Sequence, residues 1–193
     1  IQAAISKTLP DRVIVAWDGF HAGKLRYEIH KPYKAFKTKE WDKESEMIEN
    51  EGNTSDSIEK DNFQLLSQKL ELKIILEELF IRQIEVDYTE VNDLIAGYVL
   101  KNEKEDIIIF GSPKDFNQLI SKNISIITPD TFELITLKNF KQKNGYIIDN
   151  ELMFRCFEGN KSDCIDGVKG ITKDTLMKFF PDITDIKYTY QDL

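Results

Sequence analysis

Four carboxylates fall where an α/β protein concentrates its chemistry. Asp18 directly follows an apolar run at 13–17, Glu90 and Asp93 open a helical pattern after the run from Ile84 to Tyr88, and Asp115 follows the stretch from Asp106 to Gly111. Ligands collect beyond the carboxyl ends of parallel strands because loops and helix starts converge there. Glu90 and Asp93 are three residues apart, so on a helix both point the same way. Carboxylates gathered from different strand ends repel one another, and the usual compensation is a hard divalent cation with oxygen ligands and retained water. Mg²⁺ or Mn²⁺ is the natural cofactor of such a cluster. Taken singly, each acid has an ordinary explanation: Asp after a strand caps a turn or helix, and Glu near a helix start favours the dipole. Their joint arrangement carries the metal reading.

A second chemical feature lies between His21 and Lys43. Seven cations (Lys24, Arg26, Lys31, Lys34, Lys37, Lys39 and Lys43) face three acids (Glu28, Glu40 and Asp42), and both histidines fall in the same stretch. Tyr27, Tyr33, Phe36 and Trp41 are interleaved with them. Cations pair with phosphates and exposed aromatics stack on unpaired bases, whereas a solvated helix face explains the same charges without a ligand.

The elements that must hold these residues are legible as alternating patterns. Val13 to Trp17, Ile84 to Tyr88, Asp106 to Phe110 and Ile124 to Thr128 read as strands covered on both faces. Leu65, Leu66, Lys69, Leu72, Leu76, Leu79 and Phe80 recur at helical spacing and form one face of a long helix. Strand, helix and strand in alternation imply right-handed crossovers and a parallel sheet. The polar stretch from Trp41 to Lys60 reads as a loop or loosely helical excursion, and short amphipathic helices dominate from Leu137 onward.

Bulk properties narrow the class. With 193 residues and 41% apolar content the chain buries a real core. A net charge of −8 argues against a generic nucleic-acid coat, so binding to phosphate must be local. No apolar run approaches the roughly 20 residues that cross a bilayer. Cys156 and Cys164 lack soft-ligand neighbours for zinc and are expected as reduced core residues, which suits a cytoplasmic location. The chain starts at Ile1 without Met, so a fragment of something longer is expected.

Four segments, in order, resemble the structure-specific 5′ nucleases, the family of phage-type 5′-to-3′ exonucleases, flap endonucleases and phage ribonuclease H. Val13 to Lys37 resembles the strand that ends in a metal-binding Asp and is followed by an Arg and a Tyr-Lys pair. Tyr88 to Ala96 resembles the family's Glu-Ala-Asp-Asp cluster, and Gly111 to Leu119 its Ser-x-Asp-Lys-Asp-Phe-x-Gln-Leu. Gly159 to Ile171 resembles its helix-three-turn-helix, which grips the backbone of a duplex. The resemblance implies a PIN-like α/β fold, with a mainly parallel central sheet flanked by helices and a smaller helical part. On it, 1–136 form the nuclease-like core with a basic arch at about 21–62, and 137–193 the helical part with the helix-three-turn-helix at about 159–180.

The same resemblance assigns roles. Asp18, Glu90, Asp93, Asp115 and Asp163 would hold one or two Mg²⁺ or Mn²⁺ ions, and Arg26 and Lys34 would contact the scissile phosphate. Lys24, Lys37, Gly167, Lys169, Gly170 and Lys173 would meet nucleic acid, with K⁺ a further ligand of the helix-three-turn-helix. The implied activity is metal-dependent hydrolysis of branched DNA or RNA–DNA duplexes in primer removal, beside replication proteins and away from membranes.

Departures from the family pattern are specific. Asn92 and Asn160 stand at Asp positions, Pro113 at another, and Cys164 where the family commonly has Asn. A further family Asp lies on a strand before residue 1. Hydrolysis by two ions about 3.5–4 Å apart depends on ligand charge that these changes remove. The remaining acids suffice for one ion, and a binding or scaffold protein that kept the fold and lost hydrolysis stands as the alternative.

Overall fold

A computed structural model describes residues 2–34 and 57–192, with side chains excluded for 57–63 and Pro113. The chain divides into two compact units, Pro10–Leu94 and Ile1–Leu9 with Ile95–Leu193.

The first unit holds β1 (Ile14–Ala16), α1 (Lys24–Ile29), α2 (Ser57–Glu78) and β2 (Arg82–Ile84). β1 and β2 pair in parallel, with Val15 opposite Gln83. The second strand therefore ends at Ile84, where the sequence pattern starts it, and 85–90 become the loop that leads to a helix start. α2 packs on β2, with the Gln83 amide donating to the Lys73 carbonyl at 2.8 Å. Of its expected apolar stripe Leu76 is buried, while Leu65, Leu72, Leu79 and Phe80 are exposed. Two three-residue strands are about 10 Å long, against about 33 Å for a 22-residue helix, so the sheet covers a fraction of it.

Helix α3 (Val91–Lys101) follows, and the division between the units falls within it. The second unit is built on β3 (Ile107–Phe110), β4 (Ile124–Ile127) and β5 (Leu134–Ile135). β3 and β4 are parallel, with Ile109 opposite Ile126, and the short β5 adds an antiparallel edge. β4 is buried along Ile124, Ile126 and Ile127, but Ile108 and Phe110 of β3 are exposed, so this strand is not covered on both faces as its apolar run suggested. Ile109, Ile126, Phe140, Phe154 and Leu176 centre the core, and Tyr146 stacks on Phe154 at 4.0 Å. Parallel pairing among helices gives the expected α/β class.

Local rules set the helix ends. In α5 (Leu137–Asn144), which follows the short α4 (Pro113–Phe116), Thr136 and Asn139 form a capping box, and Gly145 closes the far end at φ 83°. α6 (Glu151–Glu158) is followed by a two-residue antiparallel hairpin, Gly159–Asn160 with Ile165–Asp166, and then by α7 (Lys173–Phe179), capped by the Thr172 hydroxyl. Among the described residues no helix is long and apolar enough to cross a membrane.

Candidate functional site

Asp18, Glu90 and Asp93 each lie at or beside the start of α3. The Val91 N–H donates to Asp18 Oδ1 at 2.8 Å, so Asp18, delivered by the end of β1, caps that helix. The turn that makes this possible depends on Gly19, whose N–H donates to the Thr89 carbonyl at 3.1 Å. A Cβ there would stand 1.8 Å from the Val86 carbonyl oxygen. Gly19→Ala is accordingly expected to cost about 2 kcal/mol, because the 85–89 loop must move to relieve the overlap. A urea titration reads it directly, and an unchanged midpoint would refute the close approach.

Glu90 is buried at 7% exposure, and its carboxylate is surrounded by donors. Arg26 and Lys34 form ion pairs with its two oxygens, and the Tyr33 hydroxyl donates to Oε2 at 2.7 Å. The second guanidinium nitrogen of Arg26 pairs with Asp93 at 2.6 Å. Lys34 reaches Glu90 from a left-handed backbone, φ 44°, a conformation that non-glycine residues hold only when their surroundings enforce it.

Burial alone would raise the Glu90 pKa, but hydrogen bonds from Lys34 and Tyr33 and the charges of Lys34 and Arg26 outweigh it and hold the carboxyl below its ordinary range. Burial works the same way against Lys34, and its bonds to Glu90 and Tyr33 prevail to raise its pKa. Tyr33 is pushed up to about 12, first by burial and then by its bond to Glu90.

Tyr33 is thus a buried anchor, contrary to the expectation of an exposed stacking aromatic; its alternation with Lys34 gave no sign of the inward turn. Tyr27 is half-buried, with Lys31 over its ring at 4.5 Å. Phe36, Lys37 and Trp41 lie outside the described residues, as does most of the arch expected at 21–62. Lys24 is half-buried at the start of α1. Beside Asp18 a cleft of about 470 Å³ is lined by Trp17, Lys69, Leu72 and Val91. Lys69, read from sequence as part of an apolar stripe, donates to the Asp18 carbonyl at 3.3 Å.

The other two expected ligands lie in the second unit. Asp115 is exposed on α4, its N–H bonded to the Ser112 carbonyl at 3.1 Å. Asp163 is half-buried and accepts from the Asn160 amide at 2.6 Å. Among the described residues, no three His, Cys, Asp or Glu side chains gather as a ready metal site.

Further along, Gly167 packs against the Phe157 and Glu158 backbone, and Gly170 takes φ 82°. Lys169 is exposed, whereas Lys173 donates to the Asn144 carbonyl and lies over the Tyr146 ring at 4.6 Å. Cys156 is exposed and Cys164 half-buried, which corrects the expectation of core thiols. Cys164 sits at φ 57°, a left-handed position that Asn tolerates better than most residues.

Acids at a helix start beyond parallel strands, within an α/β fold, make this an α/β domain whose polar groups gather beyond its strand ends. Two solved bacteriophage T5 structures share this fold: the D15 protein co-crystallised with metal ions (TM-score 0.70, 17% identity) and the D15 flap endonuclease in a pseudo-enzyme–product complex with DNA and metal ions (TM-score 0.69, 18% identity). Each likeness covers 93% of this chain and 64% of the T5 protein.

The pattern of the 5′-3′ exonuclease N-terminal resolvase-like domain matches residues 1–145, and the chain belongs to that family. A 5′-3′ exonuclease of Buchnera aphidicola subsp. Schizaphis graminum is 27% identical over 141 residues, spanning 69% of this chain and 49% of the relative. The thermostable DNA polymerase I of Thermus aquaticus is 33% identical over 109 residues, 55% of this chain and 13% of the polymerase. The chain thus spans about half of the exonuclease and a small part of the polymerase.

Proposed function

We propose that the chain is the catalytic part of a 5′-to-3′ exonuclease or flap endonuclease that hydrolyses branched DNA or RNA–DNA duplexes during primer removal, in the cytoplasm and beside replication proteins. The observation that carries this reading is the convergence of Asp18, Glu90 and Asp93 with Arg26 and Lys34 at one helix start. Metal ions and DNA in the T5 structures, and the exonuclease and polymerase relatives, lend it support.

The donors suit a hard divalent ion in type: all are carboxylates, and the second oxygen of the exposed Asp18 has no hydrogen-bond partner among the described residues. Both Glu90 oxygens and one of Asp93, by contrast, are already held by Arg26, Lys34 and Tyr33. Asp18, Glu90, Asp93, Asp115 and Asp163 would hold Mg²⁺ or Mn²⁺, with K⁺ near Gly167 and Gly170. When bound, such an ion lowers the pKa of water and offsets charge growing on the phosphate. The chain's own cations do the rest. Arg26 and Lys34, positioned by Glu90, would clamp the phosphate at the bond to be cut, and Lys24, Lys37, Lys169 and Lys173 would follow the backbone on either side.

Incubating the protein with a labelled 5′-flap duplex in Mn²⁺ and then in EDTA tests the proposal. Trimming that requires the metal is the expected result. A second reading has its own observation. Asn160 donates to Asp163, so that acid is satisfied by an amide where an Asp at 160 would have needed a cation between the two. Tight, EDTA-indifferent binding of the flap without cleavage would favour this duplex-binding scaffold over the enzyme.

A further inference from the structure

Glu151 opens α6 yet is only 2% exposed, and a buried carboxylate costs several kcal/mol unless donors surround it. Three do. The Tyr146 hydroxyl donates to Oε2 at 2.6 Å, and Arg155 Nε and Asn117 Nδ2 donate to Oε1 at 3.1 and 3.2 Å. Arg155 then spends its other face on the backbone, bonding the Lys114 carbonyl. Asn117 is itself buried at 6% exposure, and its carbonyl oxygen has no hydrogen-bond partner among the described residues. The amide is therefore held in the orientation that serves Glu151, at the cost of leaving its oxygen unmet.

The two points at which this network grips α4 and its continuation are Lys114 and Asn117, one residue before and two after Asp115. Asp115 itself points to solvent. A purely structural ion pair would need only Glu151 and Arg155, which already face each other across one turn of α6. Both partners instead reach out of the helix to the same short segment.

We propose that Glu151, through Arg155 and Asn117, is a positioning residue that holds the Lys114 carbonyl on one side of Asp115 and the Asn117 side chain on the other, and so sets where that carboxylate is presented. Burial, and then the bond to Glu151, raise the Tyr146 pKa, which keeps the phenol a donor throughout the working range. The inference rests on the nuclease reading, in which Asp115 meets the metal.

The test compares wild type, Asp115→Ala, Glu151→Ala and Arg155→Lys. Hydrogen exchange is followed at amides 115–119, Mn²⁺ binding by calorimetry, and kcat and KM on the flap duplex. Glu151→Ala and Arg155→Lys are expected to speed exchange in that segment and to weaken Mn²⁺ binding about tenfold, as loss of an outer partner does. They should also lower kcat with KM for the duplex unchanged. Restoration by Glu151→Gln, whose carbonyl can still accept from Asn117 and Arg155, would support orientation over charge.

Should Glu151→Ala fail to fold, Arg155→Lys carries the same readouts, because it leaves the Tyr146 and Asn117 bonds in place. If Mn²⁺ binding depends on Asp115 but ignores both network variants, the positioning role is overturned and the nuclease reading stands. If Mn²⁺ binding ignores Asp115→Ala, both fall together.

Discussion

Asp115→Ala is expected to lower Mn²⁺-dependent cleavage of a 5′-flap duplex about a thousandfold, about 4 kcal/mol of transition-state stabilisation. The fold should barely notice. Asp115 is exposed, its N–H bond to the Ser112 carbonyl belongs to the backbone, and the segment is tied through Lys114 and Asn117 rather than through its own side chain. An exposed change of this kind shifts stability by about 0.5 kcal/mol or less.

Affinity for the duplex should also survive, since on the proposed function Lys and Arg contacts to phosphate would dominate it and the variant leaves them untouched. The decisive pattern is a large fall in kcat with an unchanged melting point and an unchanged salt dependence of binding. Cleavage that persists in the variant would place the chemistry at another site.

The first strand end was legible because the apolar run Val13 to Trp17 is uninterrupted, whereas Glu85 and Asp87 break the run from Ile84 to Tyr88 and the strand there lies earlier, at Arg82–Ile84. Asp18 could be placed from that first run and Glu90 and Asp93 from the helical pattern that follows the second, and the structure sets Asp18 as the cap of the helix whose start Glu90 and Asp93 flank. Proximity was readable, but partnership was not. Nothing in the spacing of Arg26, Tyr33 and Lys34 announces that all three turn onto Glu90, because that depends on the tight backbone of Gly19 and the left-handed turn at Lys34. The leucine stripe of α2 illustrates the opposite failure. Helical periodicity fixes which residues share a face, but the area available to cover that face is set by the length of the strands opposite, and these are three residues each. Glu151 had no local signal, since its burial arises from Asn117 and Tyr146, which reach it from other elements.

Glu90→Gln tests what the caged carboxylate does. At neutral pH the substitution is expected to cost about 3 kcal/mol, because removing one member of a buried ionic cluster leaves its partners facing an amide. Lys34, with a side chain 19% exposed, suffers most, while Arg26 keeps Asp93 and is more open to water. The pH profile carries the sign. The folded-state pKa of Glu90 lies below its unfolded value, so its contribution is present above about pH 4.3 and is lost as pH falls through the depressed folded value. The stability gap between wild type and Glu90→Gln, read from urea midpoints, should therefore be widest at neutral pH and close in acid. Tyr33 gives an independent optical readout: its phenol, pushed up to about 12 by burial and then by Glu90, should ionise at lower pH in the variant as that bond weakens. A gap that is small at neutral pH in metal-free buffer would mean that Glu90 is held for a cation rather than for Arg26 and Lys34. A wide gap that metal does not alter would make Glu90 the residue that organises the phosphate clamp.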